Sequence, residues 1–545
     1  MYLPSPSTLN LNYTPDKWRD GQVKAIEWLQ GESWFEKPYG RREVKVLEAP
    51  TGTGKTGLIL GLAALNPELR FLVLCATKIE QDQYMQNLKE LDPRIASAKG
   101  KSNFHCVKEH SFLEDGDICQ EAECSLLHVN EALCEAGLPC EFKDNQWCFY
   151  YAQKRAARLA RVVITNYAFG LAVLNYSTPH FGIGKFDVIV EDEGHVLDVQ
   201  LEQFIMVKLS RRSVERLFNV KLPNFDSIPP WSSWVKDNWK KLEAVGTKLE
   251  EVGLDNLSHD EAKKLLTINS YLDRFERISE MDTDWVVEET KFGVEFQPVW
   301  VTGDSKEVLF NHAKRHIIMS GTIPSAKELG KKIGLGLKDF EFFRLPYTFP
   351  VENRLIFLDP QVSLSRDNLE RNLPALIRTI DDDLGENLDK KTLIHTKTYK
   401  ITQYLKENSD FSEHMFTHTT ADRSAILAEF KQATAPAILA SPSFDKAIDL
   451  PGDECELVII AKLPYPYLGT KVMQKRVKQS RSYYAHETLM SIIQMAGRGP
   501  RSFADVCPTI IKDSAAPMFF KQVWRMVPPG IKEAIRYKER MNGKD

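Results

Sequence analysis

Residues Ala49-Pro50-Thr51-Gly52-Thr53-Gly54-Lys55-Thr56 follow the apolar run Val44, Val46, Leu47. A short apolar strand that breaks into a glycine-rich loop ending in Gly-Lys-Thr is a P-loop. Gly52 and Gly54 let the backbone around Thr53 turn its N–H groups onto phosphate, and Lys55 places a point charge at the β- and γ-phosphates. The Thr56 hydroxyl ligates Mg²⁺. Leu58, Ile59 and Leu60 suit a helix whose N-terminal dipole faces the same phosphates. Ala49 holds the first position, where the pattern asks for glycine. A second apolar run, Phe186–Val190, delivers Glu191, Asp192, Glu193, Gly194 and His195 at its end. Two carboxylates at a strand end are commonly just solvated. Beside a P-loop they read as hydrolytic machinery, with Asp192 on Mg²⁺ and Glu193 polarising the attacking water.

Other residues match this chemistry at longer range. Gln494-Met495-Ala496-Gly497-Arg498-Gly499-Pro500-Arg501 places two arginines three apart. They can reach a γ-phosphate held by another domain and stabilise its transition-state charge. Arg19 and Gln22, upstream of the P-loop, are candidates for reading an adenine edge. Nine cysteines are present, and six of them (Cys106, Cys119, Cys124, Cys134, Cys140, Cys148) crowd one window. With no signal sequence, such a cluster reads as metal binding before disulfides. Four thiolates suit structural zinc or a [4Fe–4S] cluster. Zinc sites space paired cysteines two to four residues apart, whereas five residues separate Cys134 from Cys140 and seven separate Cys140 from Cys148. Cys75, Cys455 and Cys507 sit in or beside apolar stretches and read as small buried hydrophobes.

These groups need α/β scaffolding. At 545 residues the chain exceeds one core, since domains average roughly 150 residues. Apolar runs at 71–76, 161–167, 186–190 and 316–319 alternate with helical patterns, as in a buried parallel sheet. Thr77-Lys78 and Gln81 follow the first of these runs, where ligands bind in such sheets. A second set of strand candidates (355–358, 392–396, 437–440, 457–461, 509–512) carries no P-loop. Between 199 and 297 Lys, Glu and Leu dominate, and a Pro229-Pro230 break precedes Trp231, Trp234 and Trp239. This stretch is expected to be a helical insertion with the tryptophans as packing core. Lys99, Lys101, Lys154, Arg155, Arg158 and Arg161 flank the cysteine window with Tyr150 and Tyr151 between them. That pattern fits either a nucleic-acid track, with cations on phosphates and rings stacked on bases, or a solvated basic helix.

The formal net charge is −4, with 43% hydrophobic and 27% charged residues. Any nucleic-acid contact therefore comes from local basic patches. The start lacks the basic and apolar segments of a secretory signal, and the longest apolar run is far short of the roughly 20 residues needed to span a bilayer. A soluble, unsecreted, cytoplasmic or nucleoid-associated protein is expected, without membrane partners.

In order, these motifs resemble those of superfamily 2 helicases, and the cysteine-rich window narrows the resemblance to the iron–sulfur helicases of the XPD/DinG type. It runs from about Tyr13 to Asp513 and rests on Arg19/Gln22, Ala49–Thr56, Thr77–Gln81, Asp192–His195, Ser320–Thr322, Ser443–Asp453 and Gln494–Arg501. Lys99–Cys106 and Trp147–Tyr151 resemble the flanks of the family's cluster domain. Gly194 stands where the family usually has Ala, and Ala447 where it usually has Gly.

The resemblance implies an α/β fold of two RecA-like motor domains with an iron–sulfur insertion and a helical arch insertion in the first. The expected division is motor domain 1 over 1–198 with the cluster insertion at 104–150, the arch over 199–297, a return to motor domain 1 over 298–345, and motor domain 2 over 346–545. It also implies a 5′→3′ motor on single-stranded and forked DNA, working as a monomer with ATP, Mg²⁺ and a [4Fe–4S] cluster. No nuclease domain is expected ahead of the motor, because the adenine motif begins near Met1. The flanking motifs assign Cys106 and Cys148 as cluster ligands. Cys134 and Cys140 look like the family's late pair, and Cys119/Cys124 are the rival pair, which would set Glu121 and Glu123 beside an anionic cluster. Two further readings stay open: a translocase that remodels bound proteins without separating strands, and a metal-dependent nucleic-acid-binding module whose ATP site is a switch.

Overall fold

The computed structural model describes residues 3–9, 16–31, 43–88, 94–104, 148–176, 182–253, 256–444, 450–497 and 502–538. Cys106, Cys119, Cys124, Cys134, Cys140, Ala447, Arg498 and Arg501 lie outside the described residues.

Two seven-stranded sheets organise the chain. In the first, the order is Phe340–Arg344, Glu43–Glu48, Arg315–Ser320, Val188–Glu191, Phe71–Cys75, Val162–Asn166, Ile95–Ala98. All of its pairings are parallel. A parallel sheet covered on both faces demands continuous apolar strands, and Phe71–Cys75 and Val162–Asn166 are buried at every position. Two cores, one on each face, include Leu72, Leu74 and Val163 on one side and Phe71, Val73 and Ile164 on the other, the alternation that strand geometry imposes. The P-loop strand Glu43–Glu48 lies beside Arg315–Ser320, which lies beside Val188–Glu191. Three motif-bearing strand ends thus meet on one edge.

The second sheet runs Met415–Phe416, Ala437–Ser441, Lys391–His395, Leu457–Ile460, Thr509–Asp513, Ile356–Val362, Ile535–Tyr537, again all parallel. Its five central strands fall where the apolar runs place them. The short edge strands of both sheets carry no comparable run: Ile95–Ala98 reads Ile-Ala-Ser-Ala.

The insertion departs from a purely helical expectation. It holds the paired helices Ile228–Glu250 and His259–Glu280, and also a three-stranded antiparallel sheet of Val207–Ser210, Gly293–Pro298 and Trp285–Thr290. Strand alternation over these short stretches is diluted by charged residues, so it gave no apolar run. Pro229-Pro230 does not break a helix either. The prolines occupy the first turn of Ile228–Glu250, where the missing N–H costs nothing and the fixed φ is already helical. Trp231 is fully buried, with Trp234 edge-on to it at 5.6 Å, and Trp239 packs against the same core. The tryptophans are core. Among the described residues no helix is long and apolar enough to cross a membrane.

Candidate active site

The P-loop emerges from Glu43–Glu48 and enters the helix Lys55–Leu65. Gly52 and Gly54 have φ of +86° and +79°, a region open to glycine and strained for most other residues. Ala49 fits the first position without strain, and its N–H donates to the Ser320 carbonyl at 2.8 Å, tying the loop to the neighbouring strand end. Gln22 donates from Nε2 to the Gly54 carbonyl at 2.9 Å, and Arg19 donates from Nη1 to the Gly52 carbonyl. Both residues brace the P-loop from the preceding helix, Asp20–Gln30.

Val188–Glu191 ends at the carboxylates. Lys55 Nζ lies 3.1 Å from Asp192 Oδ1 and is ion-paired with Glu193. Burial works against the Lys55 charge, but Asp192 and then Glu193 override it and hold the ammonium above the ordinary lysine range. Burial alone would raise Glu193, yet Lys55 and then His195 keep its carboxyl well below the usual carboxylate range. Both charges therefore persist across the working pH range. Glu193 has φ +50°, an uncommon conformation for a non-glycine residue and one that clusters at functional sites.

The surroundings fix these groups. The Tyr84 hydroxyl donates to Asp192 Oδ2 at 2.5 Å, the Tyr167 hydroxyl donates to the Asp192 carbonyl at 2.9 Å, and the Glu193 N–H donates to Asp192 Oδ1 at 2.9 Å. Burial, reinforced by Asp192, pushes the Tyr84 phenol well up, so it remains a donor. Neither tyrosine was among the sequence candidates. The one available signal was the position of Tyr84 on the helix that carries Gln81, one turn further along. His195 Nδ1 is 3.2 Å from Glu193 Oε2 and 3.0 Å from Ser320 Oγ, joining the acidic segment to Ser320-Gly321-Thr322. Thr77 and Glu80 cap the helix Lys78–Leu88 reciprocally, and Gln81 is spent inside the domain on the Ala98 and Ile164 carbonyls.

Gly194 is dictated by a neighbour. A Cβ there would lie 2.2 Å from Ile318 Cγ2, so this strand's isoleucine leaves no room for alanine. Gly52 is enclosed too: a Cβ would lie 2.3 Å from the ring of Phe349, which also packs edge-on to Phe503 at 5.7 Å. Phe349 lies in the segment joining the two sheets, and Phe503 directly follows the Gln494–Arg501 segment. Gln494 is half-buried near the end of the helix Arg481–Ala496.

The basic, aromatic stretch behaves differently from a stacking surface. Tyr150 and Tyr151 are 3% and 6% exposed and pack in the core, so their rings are not free to stack on bases. Lys154 is buried over both rings, at 5.2 and 5.5 Å, and Arg161 and Arg158 donate to the Ala63 and Gly182 carbonyls. Amphipathic spacing puts Tyr150, Tyr151 and Lys154 on the core face of the helix Phe149–Leu159, whereas Arg158 lies on its exposed face and Arg161 follows the helix. Cys148 caps that helix, buried and free. Cys75, Cys455 and Cys507 are buried as expected.

Residues 16–220 match the family profile "Type III restriction enzyme, res subunit", and residues 385–529 match "Helicase C-terminal domain". The ATP-dependent DNA helicase YoaA of Escherichia coli is 22% identical over 80% of this chain and 81% of its own, and YoaA of Haemophilus influenzae is 22% identical over 86% and 87%. A solved XPD helicase superposes with TM-score 0.58 at 16% identity, covering 96% of this chain and 100% of that one. Xpd4 of S. tokodaii gives 0.59 at 15% identity, with the same coverage.

Together these matches support a superfamily 2 helicase of the XPD/DinG type. In the fold shared with the solved XPD helicases, the two seven-stranded sheets are the RecA-like lobes. The P-loop, acidic and Ser-Gly-Thr segments converge on the first lobe, and the helix leading to Gln494–Arg501 belongs to the second.

Proposed function

We propose that this chain is an ATP-dependent DNA helicase that moves 5′ to 3′ on single-stranded DNA and opens forked duplexes as a monomer. The observation that carries the reading is the convergence of Lys55, Asp192 and Glu193 at the ends of two parallel strands that flank Arg315–Ser320, beneath a second lobe of the same architecture.

The chemistry follows from the groups present. Asp192 and Glu193 already hold a cation, the Lys55 ammonium, between them. That donor set fits Mg²⁺, which Thr56 and Asp192 would hold. Bound there, the metal neutralises phosphate charge and orients the β- and γ-oxygens. Thr53, Gly54 and neighbouring backbone N–H groups cradle the phosphates of ATP as Lys55 transfers from the carboxylates to the β/γ oxygens. Glu193 then orients and polarises water, held in line by His195. Arg19 and Gln22 set the loop from behind, while Arg498 and Arg501, which follow Gln494 in sequence, would stabilise charge in the transition state.

Cys106, Cys134, Cys140 and Cys148 are assigned to a [4Fe–4S] cluster. Cys148 is a buried thiol outside any disulfide, at the N-cap position of the helix Phe149–Leu159, where it would serve as one of the four thiolate ligands. The cluster would supply a rigid crosslink for the cysteine-rich segment that carries its ligands.

Anaerobically purified protein with forked, 5′-tailed and 3′-tailed duplexes tests the reading. Single-stranded DNA should stimulate ATP hydrolysis, and the forked and 5′-tailed substrates should be opened. Unwinding of the 3′-tailed duplex alone would reverse the polarity, and hydrolysis without strand separation would make the protein a translocase.

A further inference from the structure

The helix Leu197–Ile205 starts directly after the acidic motif and carries Asp198 and Glu202 one turn apart, a spacing that sets both carboxylates on one face. Each meets a cation. Lys332, on the helix Ala326–Ile333 that follows the Ser-Gly-Thr segment, places Nζ 3.1 Å from Asp198 Oδ1 and 2.8 Å from Glu487 Oε1. Glu487 belongs to the second lobe, two turns before Gln494 on the helix Arg481–Ala496. Arg476, also of the second lobe, donates from Nη2 to Glu202 Oε2 at 2.8 Å and from Nε to the Val299 carbonyl at 2.6 Å. Tyr483 lies under both cations, 5.9 Å from Lys332 and 5.7 Å from Arg476. The Lys332 side chain is 2% exposed and that of Arg476 is 7% exposed. His486, itself buried, touches Glu487 at 3.1 Å.

We infer that Lys332 is a positioning residue for ATP hydrolysis: through Asp198 and Glu487 it locks the helix after the acidic motif to the helix that carries Gln494. Three helices, each attached to a different ATP-site segment, share this one ammonium. None of the three residues touches the P-loop, so they act through the placement of the second lobe. The geometry is selective because a dry charge pair is unforgiving. Separating buried partners leaves an uncompensated charge, so the pair holds one arrangement firmly and resists intermediate ones. Asp198/Glu202 is the surface against which the second lobe registers, and a shift at the acidic motif is transmitted along Leu197–Ile205 to Glu487. The apolar seam of Val286, Val299 and Val472 lies beside it.

This rests on the helicase reading, and the test separates the two. Wild type and Glu487→Gln are compared for DNA-stimulated hydrolysis, ATP affinity and thermal melting. Glutamine removes the interlobe charge but leaves Lys332 paired with Asp198. The stimulated kcat should fall by about tenfold, with ATP affinity and melting temperature close to wild type, because the P-loop lies wholly in the first lobe. Glu487→Met, which introduces no new polar group, should show the same split and keeps the test open if glutamine impairs folding. Unchanged kcat in either folded variant overturns the inference. A parallel loss of kcat, affinity and melting temperature also overturns it, marking a merely structural contact. A wild type that does not hydrolyse ATP at all would instead remove the helicase reading.

Discussion

Lys55 Nζ stands 3.1 Å from Asp192 Oδ1, so the ammonium proposed for phosphate and the carboxylate proposed for Mg²⁺ neutralise each other across the cleft. Lys55→Ala removes the charge assigned to the β/γ-phosphates and leaves every nucleic-acid contact in place. ATP hydrolysis should drop by at least about a hundredfold, while single-stranded DNA binding, followed by fluorescence anisotropy, stays within about twofold of wild type. Near-normal turnover would remove the P-loop assignment.

Glu193→Gln keeps the side-chain length and the Asp192 ligand but cannot polarise water. Nucleotide affinity should persist while single-turnover hydrolysis slows by about two to four orders of magnitude. Collapse of affinity together with rate would mean that Glu193 holds the nucleotide rather than activating water.

Gly194→Ala restores the residue usual in the family and should nevertheless harm this chain, since the added Cβ would meet Ile318 Cγ2 at 2.2 Å. Overpacking of this kind costs about 1–3 kcal/mol. Ile318→Ala in the same chain removes the obstructing methyl, so a double-mutant cycle should show positive coupling in thermal melts. Strict additivity would show that the two side chains do not compete for that space.

Glu48 ends the strand that feeds the P-loop and pairs with Arg344 at 2.5 Å. Burial outweighs that guanidinium and pushes the carboxyl up from 4.5 to about 7. Below the unfolded value both states hold the proton and Glu48 adds no pH dependence. Between the two values the unfolded chain gives up its proton first, so stability falls as pH rises, by at most about 3 kcal/mol. Above the folded value the penalty is constant. Denaturant titrations from pH 4.5 to 8 should show this decline in the wild type and not in Glu48→Gln; parallel curves would place Glu48 at an ordinary carboxylate value.

Serine substitutions address the cluster ligands. Cys106→Ser, Cys134→Ser, Cys140→Ser and Cys148→Ser should each bleach the brown protein and abolish unwinding, whereas Cys119→Ser and Cys124→Ser should do neither. Bleaching by Cys119→Ser would move the ligand set to the rival pair, and a colourless wild type with stoichiometric zinc would remove the cluster.

Much of this was legible in the residues alone. The P-loop, the acidic strand end and the central strands of both lobes follow from local rules. Glycine's access to positive φ, fully buried apolar runs and polar groups at strand ends are all written in short stretches of chain. The tryptophan core of the insertion was legible for the same reason.

Tertiary structure alone decided the rest, because the deciding partner lies far away in sequence. Tyr150 and Tyr151 read equally as core or as stacking surface until the sheet covered them. Arg19 and Gln22 gave no sign that they would brace the Gly52 and Gly54 carbonyls. The Asp192 partners Tyr84 and Lys55 sit more than a hundred residues away, and the obstruction at Gly194 comes from Ile318. Lys332 is the clearest case. In sequence it is one lysine among many on a charged helix face, and only the meeting of two lobes makes it a buried ammonium shared by Asp198 and Glu487. Local chemistry specifies which groups exist and which backbone they need, and burial, which is a property of the assembled chain, determines which charges must find each other.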